Sequence, residues 1–236
     1  MAAGDFEHQV NALTNLGIDG TSTDPGQDEL TQFLKDGVID VTRRCIQAKP
    51  NDIEDFTKVE ESDTQGGLGA GIGQIISVIR ESGTSSDWRS CRKISTGLQS
   101  RVTDEDSLHF ASKFNPVYIV DNKGMVLVYP APSSGGANSY KVYYVNNVPV
   151  NASYATLVYS HSDIGYFPKD KVYLVSIYAA IKSLEAKMAD FAIDEEDTEL
   201  VQAISANLNS LKQQYEGAFA SMAPPQPHQQ TGGRRR

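Results

Sequence analysis

Cysteine is scarce. Cys45 and Cys91 are the two in 236 residues, far apart and without a CxxC spacing. That argues against a disulfide framework and favours reduced, partly buried thiols, with a single disulfide as the lesser alternative. Histidine is nearly as rare, at four residues, and neither histidines nor cysteines fall at zinc-ligand spacing. No run of eighteen apolar residues occurs, so no transmembrane helix is expected. The opening "MAAGDFEHQVNALTNL" carries acidic residues and lacks an apolar stretch, so it is not expected to act as a secretory signal. Positive charge is in deficit: 21 Lys and Arg stand against 30 Asp and Glu, a net of -9. That balance argues against a surface built mainly to grip nucleic acid. Hydrophobic residues make up 39%, somewhat below the usual globular share, which suits a modest core with long ordered loops.

The helical signals lie toward the two ends. Residues 5–16 place Phe6, Val10, Leu13 and Leu16 on one side of a short helix. Asp24, Pro25 and Gln27 read as a helix start, with a side-chain cap, a proline in the first turn and an amide reaching back. Beyond it Leu30, Leu34, Val38, Val41 and Cys45 recur at spacings of three and four, widened by Phe33 and Ile46, until Lys49-Pro50 stops the run. Gly37 costs about 1 kcal/mol relative to alanine in mid-helix. Its presence predicts a close approach by another helix. "FPKDKVYLVSIYAAIKSLEAKMADF" (167–191) predicts a helix whose apolar positions nearly encircle it: Val172, Leu174, Val175, Ile177, Tyr178, Ile181, Leu184 and Met188. Such a helix belongs at the centre of a bundle. From about Asp194 a second helix carries Leu200, Ile204, Leu208, Leu211, Tyr215 and Phe219 in one stripe, behind the acidic first turn "DEEDTE". "APPQPHQQTGGRRR" has the composition of a disordered tail.

The middle of the chain changes period. "QIISVIRESG" is short and β-branched, which predicts a strand. "NPVYIVDNKGMVLVYPAP" predicts a hairpin, with Val117 and Ile119 alternating against Met125 and Leu127 across a turn of Asp121, Asn122, Lys123 and Gly124. "SYKVYYVNNVPV" adds a strand with Val142 and Tyr144 opposite in sense to Tyr143 and Val145. The stretch "DEDSLHFASKF" is either a helical turn or irregular.

Sites of chemistry are hard to find. The glycines at 66, 67, 69, 71 and 73 fit no GxGxxG register, and no GKS or GKT follows, so a turning loop is expected over 66–73 rather than a phosphate cradle. Ser160, His161, Ser162 and Asp163 stand side by side, but a catalytic triad needs convergence in space, not contiguity. His109 stands alone. "GIDGTSTDPGQDE" lacks the calcium-loop register, and the "NAS" triplet at 151 carries little weight without a secretory signal. No catalytic residue, metal ligand or cofactor site is assigned.

The expected fold class is α+β: a helical bundle from the N- and C-terminal segments with a β-rich insertion. The segments are 1–50 (helices), 51–165 (β-rich), 166–221 (helices) and 222–236 (flexible tail). Leu34, Val38, Val175, Tyr178, Ile181, Leu208, Leu211 and Tyr215 are the expected packing residues within the bundle or between subunits. So many wide stripes in a chain of low apolar share suggest burial completed by further copies of the chain.

Taken together, "ELTQFLKDGVIDVTRRCI", "IISVIRE", "DEDSLHFASKFNPVYIVDNKGMVLVYPAP" and "FPKDKVYLVSIYAAIKSLEAKMA" resemble virion structural proteins of tailed bacteriophages. The order of segments is similar to that of the head-to-tail adaptor, or neck connector, and the resemblance covers most of residues 25–190. It implies a ring, usually twelvefold, docked below the portal protein, contacting a downstream tail or neck protein and letting double-stranded DNA through its centre. It implies no enzyme activity, no cofactor and no membrane. The protein would be made in the bacterial host cytoplasm and end in the virion. On that plan the tail after Met222 faces the portal, with Pro224, Pro225, Arg234, Arg235 and Arg236 as the contact residues. The chain departs from compact adaptors in its large β insertion, which keeps tail-tube, collar and capsid-surface roles open. A hydrolase using His109 or His161 with a nearby serine is a third, weaker reading.

Overall fold

The helix α3 (Val172–Phe191) is buried on almost every side: Leu174, Val175, Ile177, Ala179, Ala180, Ile181 and Leu184 are all shielded from solvent. Its neighbours explain this. It packs against α1 (Phe6–Thr14), α2 (Gln27–Ala48) and α4 (Thr198–Met222). The computed structural model describes residues 4–23, 25–69, 72–84, 86–134, 137–191 and 198–222, with Thr198 by its backbone alone. Within them the fold is mixed α and β. It divides into two compact units. One is formed by the chain up to Ile53 together with the chain from Val150 onward, the other by Glu54–Pro149.

In the first unit, α2 buries the stripe Leu30, Leu34, Val38, Val41 and Cys45 that its spacing predicts. The cap on Asp24 falls outside the described residues. The helix starts after Gly26, and Glu29 rather than Gln27 reaches back, accepting the Gly26 N–H at 3.1 Å. Gly37 marks the crossing with α3: a Cβ there would lie 3.0 Å from Tyr178 Cδ1 and 3.3 Å from Val175 Cγ1. In α4, Ile204, Leu208, Leu211, Tyr215 and Phe219 are buried, while Leu200 at the start of the stripe is 40% exposed. The proposed beginning of this helix at Asp194 lies outside the described residues.

Residues 150–165 belong with the helices, although their composition reads like the strands before them. The reason is a hydrogen-bond debt. The first N–H groups of a helix have no partner within it. At α1 the Asp5 side chain accepts from His8 N at 2.9 Å, and the Phe6 and Glu7 N–H groups donate to the carbonyls of His161 at 2.8 Å and Tyr159 at 3.1 Å. The loop also donates its Tyr159 N–H to Thr31 Oγ1 on α2 at 3.2 Å.

The second unit contains two sheets. One has the order β1 (Thr57–Ser62), β7 (Tyr140–Asn146), β2 (Ile72–Glu81), β3 (Trp88–Ser90); the other has β4 (Arg92–Lys93), β5 (Val117–Val120), β6 (Val126–Tyr129). Val78, Tyr140, Val142 and Tyr144 from the first share one core with Tyr118, Val126 and Val128 from the second. The expected hairpin is β5–β6, with Val120 opposite Val126 and the Asp121 side chain accepting from Lys123 and Met125 N–H at 2.8 Å each. Its faces differ from expectation. Val126 and Val128 point into the core rather than Met125 and Leu127, and β5 is buried on both sides because Val117 packs with Val102 and Ala111. "DEDSLHFASKF" is a succession of turns.

Candidate interaction surfaces

The glycine-rich run turns out to be a close-packed crossing of backbone over backbone. A Cβ on Gly69 would fall 2.7 Å from Met125 Cα, and the neighbouring Leu68 carbonyl accepts the Val126 N–H at 2.9 Å. With Gln65 Oε1 accepting from Val128 N at 3.1 Å, the segment covers the outer edge of β6. Edge strands left bare invite unwanted pairing, so this covering is protective. Residues 70 and 71 of the run lie outside the described residues.

The neighbouring letters of "SHSD" serve separate backbone contacts. His161 Nδ1 accepts the Val158 N–H at 3.2 Å and its Nε2 lies 3.2 Å from Asn151 Nδ2. Asp163 Oδ1 accepts from Ala152 N at 2.9 Å, and Ser160 and Ser162 face solvent. Asn151 of the "NAS" triplet is buried, its Oδ1 taking the N–H groups of Ser153 and Ala155 at 3.0 and 2.9 Å. In "GIDGTSTD" the Asp19 carboxylate staples its own turn. The Thr21 hydroxyl first, then the Thr21 and Ser22 N–H groups, hold it below the ordinary carboxylate range. Among the described residues no three His, Cys, Asp or Glu side chains converge to hold a metal ion, and no helix is long and apolar enough to cross a membrane.

Both thiols are buried and free. Burial pushes the Cys91 thiol up to about 12, and burial raises Cys45 as well. Cys91 sits where the chain passes from β3 to β4, its N–H donating to Val78 O at 2.8 Å. Nearby, the buried Arg80 donates to the carbonyls of Pro130 at 2.8 Å, Ala131 at 3.3 Å and Glu81. It ties the start of the β6–β7 connection to β2.

The expected packing residues converge on one seam. Leu34, Val38, Val175, Ile181, Leu208, Leu211 and Tyr215 are buried, and Tyr178 is half-buried. At one end of the seam the Tyr215 hydroxyl donates to Asp40 Oδ2 at 2.8 Å, the same oxygen that Arg44 Nε meets at 2.8 Å. The Arg44 guanidinium lies 5.2 Å from the Tyr215 ring centre and 5.4 Å from that of Phe219, and it reaches Glu216 at 2.8 Å. The polar clamp formed by Asp40, Arg44 and Tyr215 is set by the register between α2 and α4, which a single helix pattern does not contain.

The open surfaces among the described residues include two clefts on the helical unit and one set of turns on the β unit. On the helical unit, a cleft of about 530 Å³ lies among Ile164, Phe167, Val172 and Tyr173. A second groove, of about 390 Å³, lies among Leu16, Leu184, Phe191, Leu200 and Ile204. On the β unit, the turns over 104–116 present Leu108 fully exposed and Phe114 63% exposed. Pro224, Pro225, Arg234, Arg235 and Arg236, the expected portal contacts, lie outside the described residues. In comparison with known proteins, the sequence matches no family model and no curated protein.

Proposed function

We propose that the chain is a structural head-to-tail connector of a tailed phage, a non-enzymatic ring subunit between portal and tail. The finer fold goes with this reading: a helical bundle from the two ends of the chain, with Glu54–Pro149 as its β-rich insertion. One observation carries the reading. The central helix α3 draws α1 and α2 from one end of the sequence and α4 from the other around itself, and the β unit is one uninterrupted excursion between them. That is the arrangement the sequence resemblance implies for an adaptor. The ring of such subunits, twelvefold by the same resemblance, would sit below the portal, with residues 223–236 toward the portal and the β unit toward the next tail or neck component.

Charge supports the role in DNA passage. The helical unit holds 12 Lys and Arg against 19 Asp and Glu, the β unit nine against eleven. A lumen lined by the more acidic unit repels phosphate and lets the duplex slide. Electron microscopy of the purified protein, alone and mixed with portal, tests the proposal. Rings that seat on the portal are the expected result; particles that stay monomeric and never bind portal would overturn it. Another virion role, such as a tail-tube, collar or capsid-surface protein, is the second reading. It is favoured by the size of the β unit, and assembly onto tail tubes rather than portals would select it.

A further inference from the structure

The cleft of about 530 Å³ beside Tyr173 is aromatic and short of polar groups to satisfy. Ile164 and Phe167 are buried and form its floor, and Tyr173, 51% exposed, forms a wall. Gln9 lies at the back with its amide already engaged: Oε1 accepts from Ser176 Oγ at 2.8 Å and Nε2 donates to Gly4 O at 2.7 Å. Two more tyrosines adjoin the lining in sequence. Tyr154, 66% exposed, stacks on Tyr166 with ring centres 5.2 Å apart. Grooves lined by aromatic rings are the kind that grip extended, proline-rich segments.

The end of α4 delivers such a segment to this place. α3 and α4 run antiparallel: Leu200 and Ile204 from the start of α4 share a groove with Leu184 and Phe191 from the second half of α3, and the Tyr215 ring centre lies 6.0 Å from that of Tyr178. Met222, two turns beyond Tyr215, is therefore level with Tyr173, one and a half turns before Tyr178. Tyr173 also shares its side of α3 with Leu184 and Phe191, which follow it by close to whole numbers of turns, and that is a side α4 borders. Beyond Met222 the sequence reads Ala-Pro-Pro-Gln-Pro, with Pro224 and Pro227 at the PxxP spacing. At about 3.3–3.6 Å per residue, Pro224 to Pro227 reach from about 7 to about 18 Å past Met222. Packed helix axes stand about 8–10 Å apart, so that span covers the step from α4 to the cleft.

We infer that Pro224–Pro227 seat in the cleft beside Tyr173 of their own copy, as a proline-rich strap across this end of the helical unit. Proline has little backbone freedom left to lose on seating. A short tether holds the segment at an effective concentration of order millimolar, so a site too weak for a free peptide is filled from within the chain. The prolines then serve the chain's own bundle, and Arg234–Arg236, beyond the polar sequence HQQTGG, are left to meet a partner. The strap goes beyond the connector reading and is independent of it: it forms in the isolated chain, whereas portal contact needs the portal.

The test uses the full-length chain with a nitroxide on Gln226→Cys, the native Cys45 and Cys91 being buried and left unlabelled. The amide NMR signals of Ala152, Ile164, Val172 and Tyr173 are expected to be lost to paramagnetic broadening. Replacing Pro224, Pro225 and Pro227 by serine in the same labelled chain is expected to bring them back, and Tyr173→Asp to do the same for the first three. The serine variant changes the tail alone, so it carries the test if Tyr173→Asp misfolds. A free peptide of residues 223–236 is expected to shift these signals in the unlabelled serine variant and to leave the wild type, whose cleft is filled, unmoved. Equal broadening with and without the prolines would reduce the effect to tethering and overturn the strap. A peptide that shifts neither protein would overturn it too. Broadening that appears when nitroxide-bearing chains are mixed with isotope-labelled, nitroxide-free chains would make a second copy the occupant and overturn the seat within one chain. Portal binding, measured separately, judges the connector reading whichever way these results fall.

Discussion

Gly37 of α2 and Tyr178 of α3 meet so closely that the glycine hydrogen stands where a Cβ would be 3.0 Å from the ring's Cδ1. Gly37→Leu is expected to destabilise the protein by about 1–3 kcal/mol through overpacking. Gly37→Ala is expected to lie near balance, since the contact strain opposes a helix-propensity gain of about 1 kcal/mol. Urea denaturation of the two variants checks the order; a leucine variant as stable as the wild type would show that α2 and α3 separate freely.

Tyr215 ties the seam to solution pH. Burial first, and then its hydrogen bond to Asp40, raise the ionisation of its phenol above the ordinary value of 10. In the unfolded chain the phenol loses its proton near pH 10, while in the folded chain it keeps it. The unfolded state therefore binds fewer protons above that pH, and stability falls as pH rises. Below it the contribution is fully present. The wild type is expected to lose stability on going from pH 9 to 11, and Tyr215→Phe to lose less. Denaturation midpoints across that range measure the difference.

Ser183 is fully buried on α3, and its hydroxyl has no hydrogen-bond partner among the described residues. Removing an unpaired buried hydroxyl relieves a desolvation cost of about 1–3 kcal/mol. Ser183→Ala is expected to be neutral or stabilising, read as a shift in the melting temperature.

Arg80 is the reverse case. Arg80→Met is expected to cost at least about 2 kcal/mol, because it leaves the carbonyls of Pro130, Ala131 and Glu81 without their buried donor. Arg80→Lys is expected to rescue little, since a single ammonium cannot span the three acceptors of a planar fork. Thermal melts of both variants test this.

Cys45 and Cys91 are expected to resist maleimide in the native protein at pH 8 and to react once it is unfolded, because burial keeps both as thiols. Rapid native labelling of Cys91 would contradict its place in the core.

The helical unit was the more legible of the two in sequence. The α2 stripe, the near-complete burial of α3 and the close approach at Gly37 follow from apolar spacing and one misplaced glycine, which are local signals. Asp24-Pro25 is a strong local cap signal, but α2 runs from Gln27, where the Gly26 N–H donates to the Glu29 side-chain carboxylate. In the β unit the hairpin turn was visible at Asp121–Gly124, yet the inward face of β6 was not. Val126 and Val128 alternate with Met125 and Leu127, all four are apolar, and only the partner sheet decides which pair is buried. The placement of β7 between β1 and β2 is likewise a product of long-range pairing. The exposed Leu108 and Phe114 gave no signal, because exposure is a property of surroundings that a pattern of letters omits.

The division of the chain also orders its synthesis. Glu54–Pro149 leaves the ribosome as one continuous piece and can reach its own folded state while α3 is still being made. During that interval α1 and α2 hold their apolar stripes without the helix that covers them. The nascent protein therefore passes through a stage with a finished β unit and an unfinished helical one, and a chaperone acting on it would be expected to bind the Leu30–Val41 face of α2 until α3 emerges.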